Sequence, residues 1–178
     1  TAVIVRDRGA LEVLMVRRHE RMAFGASAWV FPGGKVCAAD RSTLWSTLTE
    51  GDFESEERAL RVAAAREMFE ESGLALAGRT GSGRLISAKD SQRLQPHRPQ
   101  VEAEPHRFAQ LLATAGLRLA LDRLTPFAHW VTPAFEPRRF DTRFYILEAP
   151  EEQVADHDGR EAVEHMWIEP RRLLQMRL

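Results

Sequence analysis

Three glutamates at i, i+3 and i+4 constrain this chain more than any other feature. Glu67, Glu70 and Glu71 stand in the run Arg66-Glu67-Met68-Phe69-Glu70-Glu71-Ser72-Gly73-Leu74. On a helix, residues at that spacing share one face. At about 100° per residue, Glu70 and Glu71 fall about 60° and 40° to either side of Glu67. Like charges so placed repel by about 0.2–0.5 kcal/mol per pair. Gly73 reads as the residue that stops the helix. Glu70 and Glu71 therefore lie in its last turn, the end that disfavours anions by about 0.3–1 kcal/mol each. Local rules broken together mark functional sites. A hard divalent cation, which takes oxygen ligands, is the counter-charge that fits. The alternative is a solvated acidic face with Arg66 as its local partner.

Residues 56–72 predict the helix that carries these acids. Val62, Ala65, Met68 and Phe69 fall in one apolar sector about 100° to 220° from Glu67, so the glutamates are expected to face away from the core, toward a cleft. Upstream stands Phe31-Pro32-Gly33-Gly34-Lys35. Its two glycines allow either a positive φ or a close backbone approach.

With both pieces in view, the chain resembles the Nudix hydrolase family. That family's signature is Gly, five residues, Glu, seven residues, Arg-Glu, an apolar residue, any residue, Glu-Glu, any residue, Gly and an apolar residue. Arg66 to Leu74 match every fixed position of the second half. The first half matches at Gly34 and then departs, because Arg66 lies 32 positions after Gly34, 18 more than the pattern has. Asp40 stands where the first Glu would fall without an insertion, and Glu57 is one place off the position counted back from Arg66. The split resembles the insertion-bearing branch that includes peroxisomal coenzyme A diphosphatases. Arg21-Met22-Ala23-Phe24, Trp29 to Gly34, Trp130-Val131-Thr132-Pro133 and the run from Pro137 to Phe144 carry that similarity.

The resemblance implies an α/β fold: a Nudix-type α/β/α sandwich with a mixed sheet. It places an insertion at 38–55 inside the signature and a helical insertion around 84–116, all within one domain of residues 1–178. It implies hydrolysis of a diphosphate linkage in a nucleoside diphosphate derivative, a small-molecule partner. Glu67, Glu70 and Glu71 are then ligands of Mg²⁺ or Mn²⁺, with a backbone carbonyl near Gly33. Such an ion neutralises phosphate oxygens and activates water. Arg66 is an orienting partner. Lys35 either touches phosphate or is a solvated loop lysine. A general base is sought in the acidic loop before the last strand, where Glu161 and Glu164 compete with ordinary surface charge; His157 there reads as exposed. Arg138, Arg139 and Arg143 are candidates to grip phosphate as charged forks; alternation puts Arg139 and Arg143 on one strand face with Asp141, so a structural ion-pair network is the alternative. Branch resemblance favours coenzyme A or an acyl derivative. An ADP-ribose, NADH or other dinucleotide pyrophosphatase is the alternative in the same class. A non-catalytic nucleotide-binding regulator is the alternative in another.

Composition excludes several classes. The net charge of −1 argues against a nucleic-acid surface. No apolar run approaches the roughly 20 residues of a membrane helix. Cys37 is the single cysteine, so no internal disulfide forms, and a reducing, cytoplasmic compartment is expected. A homodimer is a further expectation. There is no initiator Met, and both ends are expected to be trimmed or disordered. The remaining predicted elements are a hairpin of 1–5 and 11–16, strands at 29–31, 127–131, 139–147 and 163–168, and a helix at 105–115 ending at Gly116. Residues 38–55 and 75–104 read as irregular, with a helical patch at 42–48.

Overall fold

The computed structural model describes residues 1–21, 25–136 and 138–176. The similarity carried by Met22, Ala23, Phe24 and Pro137 lies outside them. The strands are β1 (Ala2–Asp7), β2 (Leu11–Arg18), β3 (Trp29–Val30), β4 (Thr49–Glu50), β5 (Ala77–Arg79), β6 (Leu117–Ala120), β7 (Thr125–Val131), β8 (Asp141–Glu148) and β9 (Ala162–Ile168). The helices are α1 (Trp45–Leu48), α2 (Ser55–Ser72), α3 (Ala88–Leu94), α4 (Arg98–Ala103), α5 (Arg107–Ala115) and α6 (Pro170–Leu173).

The main sheet runs β3-β2-β1-β8-β7, with β9 on the other edge of β2. β1 and β2 form the expected antiparallel hairpin, with Val5 opposite Val13. β1 and β8 run parallel, which makes the sheet mixed. Val13, Leu14, Met15 and Val16 are all buried, so both faces of β2 are covered. That matches a sandwich, where central strands read as continuous apolar runs. A second sheet, β4-β6-β5, was not expected from sequence. Its strands are two to four residues long, too short for periodicity to register.

The catalytic-signature helix α2 sits between these layers. It packs against β1, β8 and β9 on one side and against α4 and the insertion on the other. Phe69 stacks on Phe108 of α5 at 5.5 Å, and Phe108 meets Trp45 of α1 at 5.9 Å. Trp45 is 1% exposed, so the insertion supplies core to the back of α2. The excursion at 38–55 is present, and α2 starts one residue before the expected Glu56.

Two expectations need correction. Residues 75–104 are not mainly loop: they hold β5, α3 and α4. Pro96 and Pro99 mislead because each sits at the first or second position of a helical turn, where a missing N–H costs nothing. The second correction concerns α2, whose residues from Arg61 to Ser72 are all buried. A helix enclosed on all sides shows only a weak apolar stripe. The glutamates share in that enclosure, Glu67 and Glu70 at 9% and Glu71 at 6% exposed.

Candidate active site

Gly33 and Gly34 bring the backbone onto the acidic face of α2. Neither has a positive φ, so close approach is what requires glycine here. A Cβ on Gly34 would lie 2.4 Å from the Glu67 carboxylate carbon. The Gly33 amide donates to Glu71 Oε2 at 2.9 Å. The C-terminus of α2 is fixed with equal care. Gly73 caps it at φ 70°, and Arg98 donates from Nε and Nη2 to the Glu70 carbonyl at 3.2 and 2.8 Å. Gln95 donates to the Gly73 carbonyl at 2.7 Å. A guanidinium at a helix C-terminus satisfies carbonyls that the helix leaves open and favours the dipole.

Arg66 is the hub. Its Nε and Nη2 donate to the two Asp40 oxygens at 2.8 and 3.0 Å. Its Nη1 meets Glu67 Oε1 at 2.9 Å and the Glu70 carboxylate at 3.1 Å. Its Nη2 also donates to the Lys35 carbonyl at 3.1 Å. Asp40 is 1% exposed and Arg66 is 3% exposed. Of the two upstream candidates, Asp40 is the one that meets Arg66. Asp40 keeps the family's spacing from Gly34, and the extra residues follow it. Glu57 is engaged elsewhere: it pairs with Arg61 at 2.7 Å and accepts from the Tyr145 hydroxyl at 3.2 Å.

The charge balance of the cluster is unequal. Asp40, Glu67, Glu70 and Glu71 set four carboxylates against the one guanidinium of Arg66, leaving three negative charges when all are ionised. Each ion removed from water costs several kcal/mol unless it is paired. Burial accordingly raises Glu67 above the usual carboxylate range, with Arg66 opposing. Burial, offset by Arg66, pushes Glu70 up to about 7. Burial, opposed by the Gly33 amide, pushes Glu71 up to about 8. Burial disfavours the Arg66 charge, but Asp40, Glu67 and Glu70 outweigh it and hold that cation above its ordinary value. A donor set of carboxylate oxygens with excess negative charge fits a hard divalent cation.

The other sequence candidates separate clearly. Glu161 is exposed, and its charge raises both Glu67 and Glu71. Glu164 instead pairs with Arg17 at 3.0 Å across β2 and β9. Lys35 is exposed at the turn and contributes its carbonyl to Arg66. Arg139 donates from Nε to the Thr132 carbonyl at 3.2 Å, and Arg138 and Arg143 are exposed. The expected pairing of Asp141 with arginine is not made by Arg139 or Arg143. Asp141 instead meets His129 at 2.6 Å, a diagonal contact across β7 and β8, whose register sets Asp141 opposite Val131 and His129 opposite Arg143. The Arg143 carbonyl accepts from the Thr1 amine, and Thr1 lies against Gly33, so β8 begins one step from the turn.

Two positions that bear on the candidate site escape sequence reasoning. Arg98 carries no local signal, since its partner is a backbone carbonyl 28 residues away. Arg18 ends β2 beside a cleft of about 240 Å³ lined also by His19, Ser27 and Val163. Its charge favours ionised Glu71, and its Nε is buried without a hydrogen-bond partner among the described residues. The doublet Arg17-Arg18 at the end of an apolar strand was the only hint.

Comparison with known proteins identifies the family. The model of the NUDT19 Nudix domain matches residues 49–177. The chain belongs to the Nudix hydrolase family. A Caenorhabditis elegans protein named for the nudix hydrolases is 31% identical over 170 residues, covering 96% of this chain and 50% of its own length. The acyl-coenzyme A diphosphatase NUDT19 of Xenopus laevis is 25% identical, covering 92% of this chain and 54% of its own. That of Gallus gallus is 30% identical, with coverage of 89% and 54%. The chain thus spans about half the length of the curated relatives it matches. A crystal structure of a NUDIX hydrolase from Alicyclobacillus acidocaldarius superposes with a TM-score of 0.79 at 26% identity, covering 98% of this chain and 79% of that one. The fold is therefore the α/β Nudix sandwich. Nudix hydrolases generally use a divalent metal and act on small nucleoside diphosphate derivatives. Among the described residues, no helix is long and apolar enough to cross a membrane.

Proposed function

We propose that the chain is a metal-dependent hydrolase that cleaves the diphosphate linkage of coenzyme A or an acyl-coenzyme A. The observation that carries the hydrolase reading is the buried set of four carboxylates, Asp40, Glu67, Glu70 and Glu71, against the one guanidinium of Arg66, an excess of three negative charges when all are ionised. Glu67, Glu70 and Glu71 would hold Mg²⁺ or Mn²⁺, beside the backbone of Gly33. When bound, such an ion neutralises phosphate oxygens and acidifies water.

The chain's own residues do the rest. Arg66 fixes the carboxylates of Glu67 and Glu70 relative to each other. Arg98 and Gln95 hold the end of α2, so that Glu70 and Glu71 keep their places. Glu161 is the general base in this reading, since among the described residues its side chain makes no hydrogen bond or ion pair and its charge reaches the cluster. Arg18, Lys35, Arg138, Arg139 and Arg143 supply cations for a substrate carrying several phosphates. Arginine forks suit a 3′-phosphate because they bind it in bidentate fashion. The names of the NUDT19 relatives support the coenzyme A substrate, and the single cysteine supports a reducing compartment.

The test is direct. Purified protein is given coenzyme A, its 3′-dephospho form and ADP-ribose, with Mg²⁺ or Mn²⁺, and products are read by mass. Cleavage of coenzyme A to 3′,5′-ADP and a phosphopantetheine, with a preference for the 3′-phosphate, is expected. Equal or faster cleavage of ADP-ribose would move the substrate to a dinucleotide or nucleotide sugar. Binding without cleavage of any of them would favour a regulatory module.

A further inference from the structure

A second group of metal-ligating side chains lies outside the glutamate site. Asp156 and His157 stand in the loop between β8 and β9, and His165 stands on β9. One ligand atom from each lies within 4.8 Å of the others. The Nδ1 atoms of His157 and His165 are 2.9 Å apart, and the ring centroids are 5.2 Å apart. Two imidazole nitrogens this close share either one proton or one metal ion.

The surroundings favour ligation. Both histidines are half-buried. The neutral imidazole is the ligating form. The loop is tied down as well. The Asp156 amide donates to the Ser72 carbonyl at 2.8 Å. The Asp158 carboxylate accepts from the amides of Arg160, Glu161 and Ala162 at 2.8–2.9 Å.

We propose that Asp156, His157 and His165 form a binding site for a transition-metal ion, Zn²⁺ foremost, separate from the carboxylate cluster on α2. Imidazole nitrogens suit Zn²⁺, whereas Mg²⁺ takes oxygen ligands and keeps its waters. Three protein ligands and an open position are a form that Zn²⁺ adopts. Zn–N distances of about 2.0–2.1 Å with tetrahedral angles set the two nitrogens about 3.3 Å apart. His157, on the loop, supplies that small opening. A bound ion would clamp residues 149–161 to β9, and that loop carries Glu161.

The experiment titrates tag-free full-length chain with Zn²⁺ by calorimetry in excess Mg²⁺, and with Co²⁺ by visible absorption. One saturable equivalent is expected. H157Q and H165Q should each weaken it by at least about tenfold, the smallest loss typical of disturbing a metal's ligand environment. E70Q should leave it unchanged, which distinguishes this site from the proposed catalytic one. His157 lies on the surface loop, so H157Q keeps the fold, as far-ultraviolet dichroism would verify. No saturable binding would overturn the proposal. So would binding that H157Q and H165Q leave intact, or that E70Q abolishes.

Discussion

Replacing Gly34 with alanine should disable the enzyme while leaving it folded. A Cβ there would sit 2.4 Å from the Glu67 carboxylate carbon and Oε1, and 2.5 Å from Oε2. Ordinary contact begins at 3.4 Å, so the carboxylate or the turn must move by about 1 Å. Glu67 has little freedom, being 9% exposed and held by Arg66 at 2.9 Å. If the turn moves instead, the Gly33–Glu71 and Lys35–Arg66 bonds lengthen. Either response displaces a proposed metal ligand. A misplacement of about 1 Å in a catalytic constellation costs about 100-fold. That is about 2.7 kcal/mol of transition-state stabilisation. Gly34 itself lies at the surface, so the fold loses much less. A loss of about 1 kcal/mol would lower Tm by about 2–4 °C in a chain of this size. Steady-state cleavage with Mg²⁺, Mn²⁺ affinity by calorimetry and a thermal melt measure the three quantities. Cleavage within about threefold of the parent, or about 0.6 kcal/mol, with unchanged Mn²⁺ affinity would refute the reasoning.

Glu70→Gln should lower turnover by about 100-fold or more while leaving apo Tm unchanged or higher, because it removes a buried charge that burial already opposes; full metal-dependent activity in this variant would remove Glu70 from the site. Asp40→Asn should be chiefly a stability lesion: breaking a buried pair costs about 3–5 kcal/mol, so a melt that matches the parent would deny Asp40 its role as the partner of Arg66. The apo protein should also lose stability as pH rises. Glu70 at about 7 and Glu71 at about 8 are raised by burial, so their protonated forms suit the fold. That advantage is complete below the unfolded value of about 4.3 and is lost as pH climbs through 7 and 8. Tm in chelator should fall between pH 6 and 9, and added Mg²⁺ should restore more of it at pH 9 than at pH 6; a flat chelator profile would contradict the burial of these acids.

The glutamate face, the glycine turn and the flanking hairpin were legible because each rests on short-range rules. Spacing on one helix fixes which carboxylates meet, and the Gly33-Gly34 pair announces a backbone position that a side chain would block. Asp40 was visible only as a residue at the right count from Gly34. Its pairing with Arg66 spans 26 residues, and no local pattern encodes it. The same holds for Arg98 on the Glu70 carbonyl and for the stack of Trp45, Phe108 and Phe69. The short strands β4, β5 and β6 exist because they pair with one another over long separations, not because their own residues favour extension. Asp141 illustrates the opposite error. Strand alternation put it on one face with arginines, but its partner is His129, which lies diagonally across the strand pair.

The insertion explains how a signature can be interrupted and still work. The first half needs only a turn that reaches the helix and an acid that meets Arg66. Gly34 and Asp40 provide both before any extra residue appears. The second half needs only one turn of helix, from Arg66 to Gly73. Between Asp40 and Ser55 the chain is free to wander, provided it returns to start α2. Here the excursion places Trp45 against Phe108 and so closes the back of the helix. The acidic face is covered separately, by the Gly33-Gly34 turn and by Asp40. Removing the acids from water raises their pKa values and sharpens the imbalance of charge. The added core and the enclosed acids are therefore two covers on one helix, the first from residues after Asp40 and the second from residues up to it.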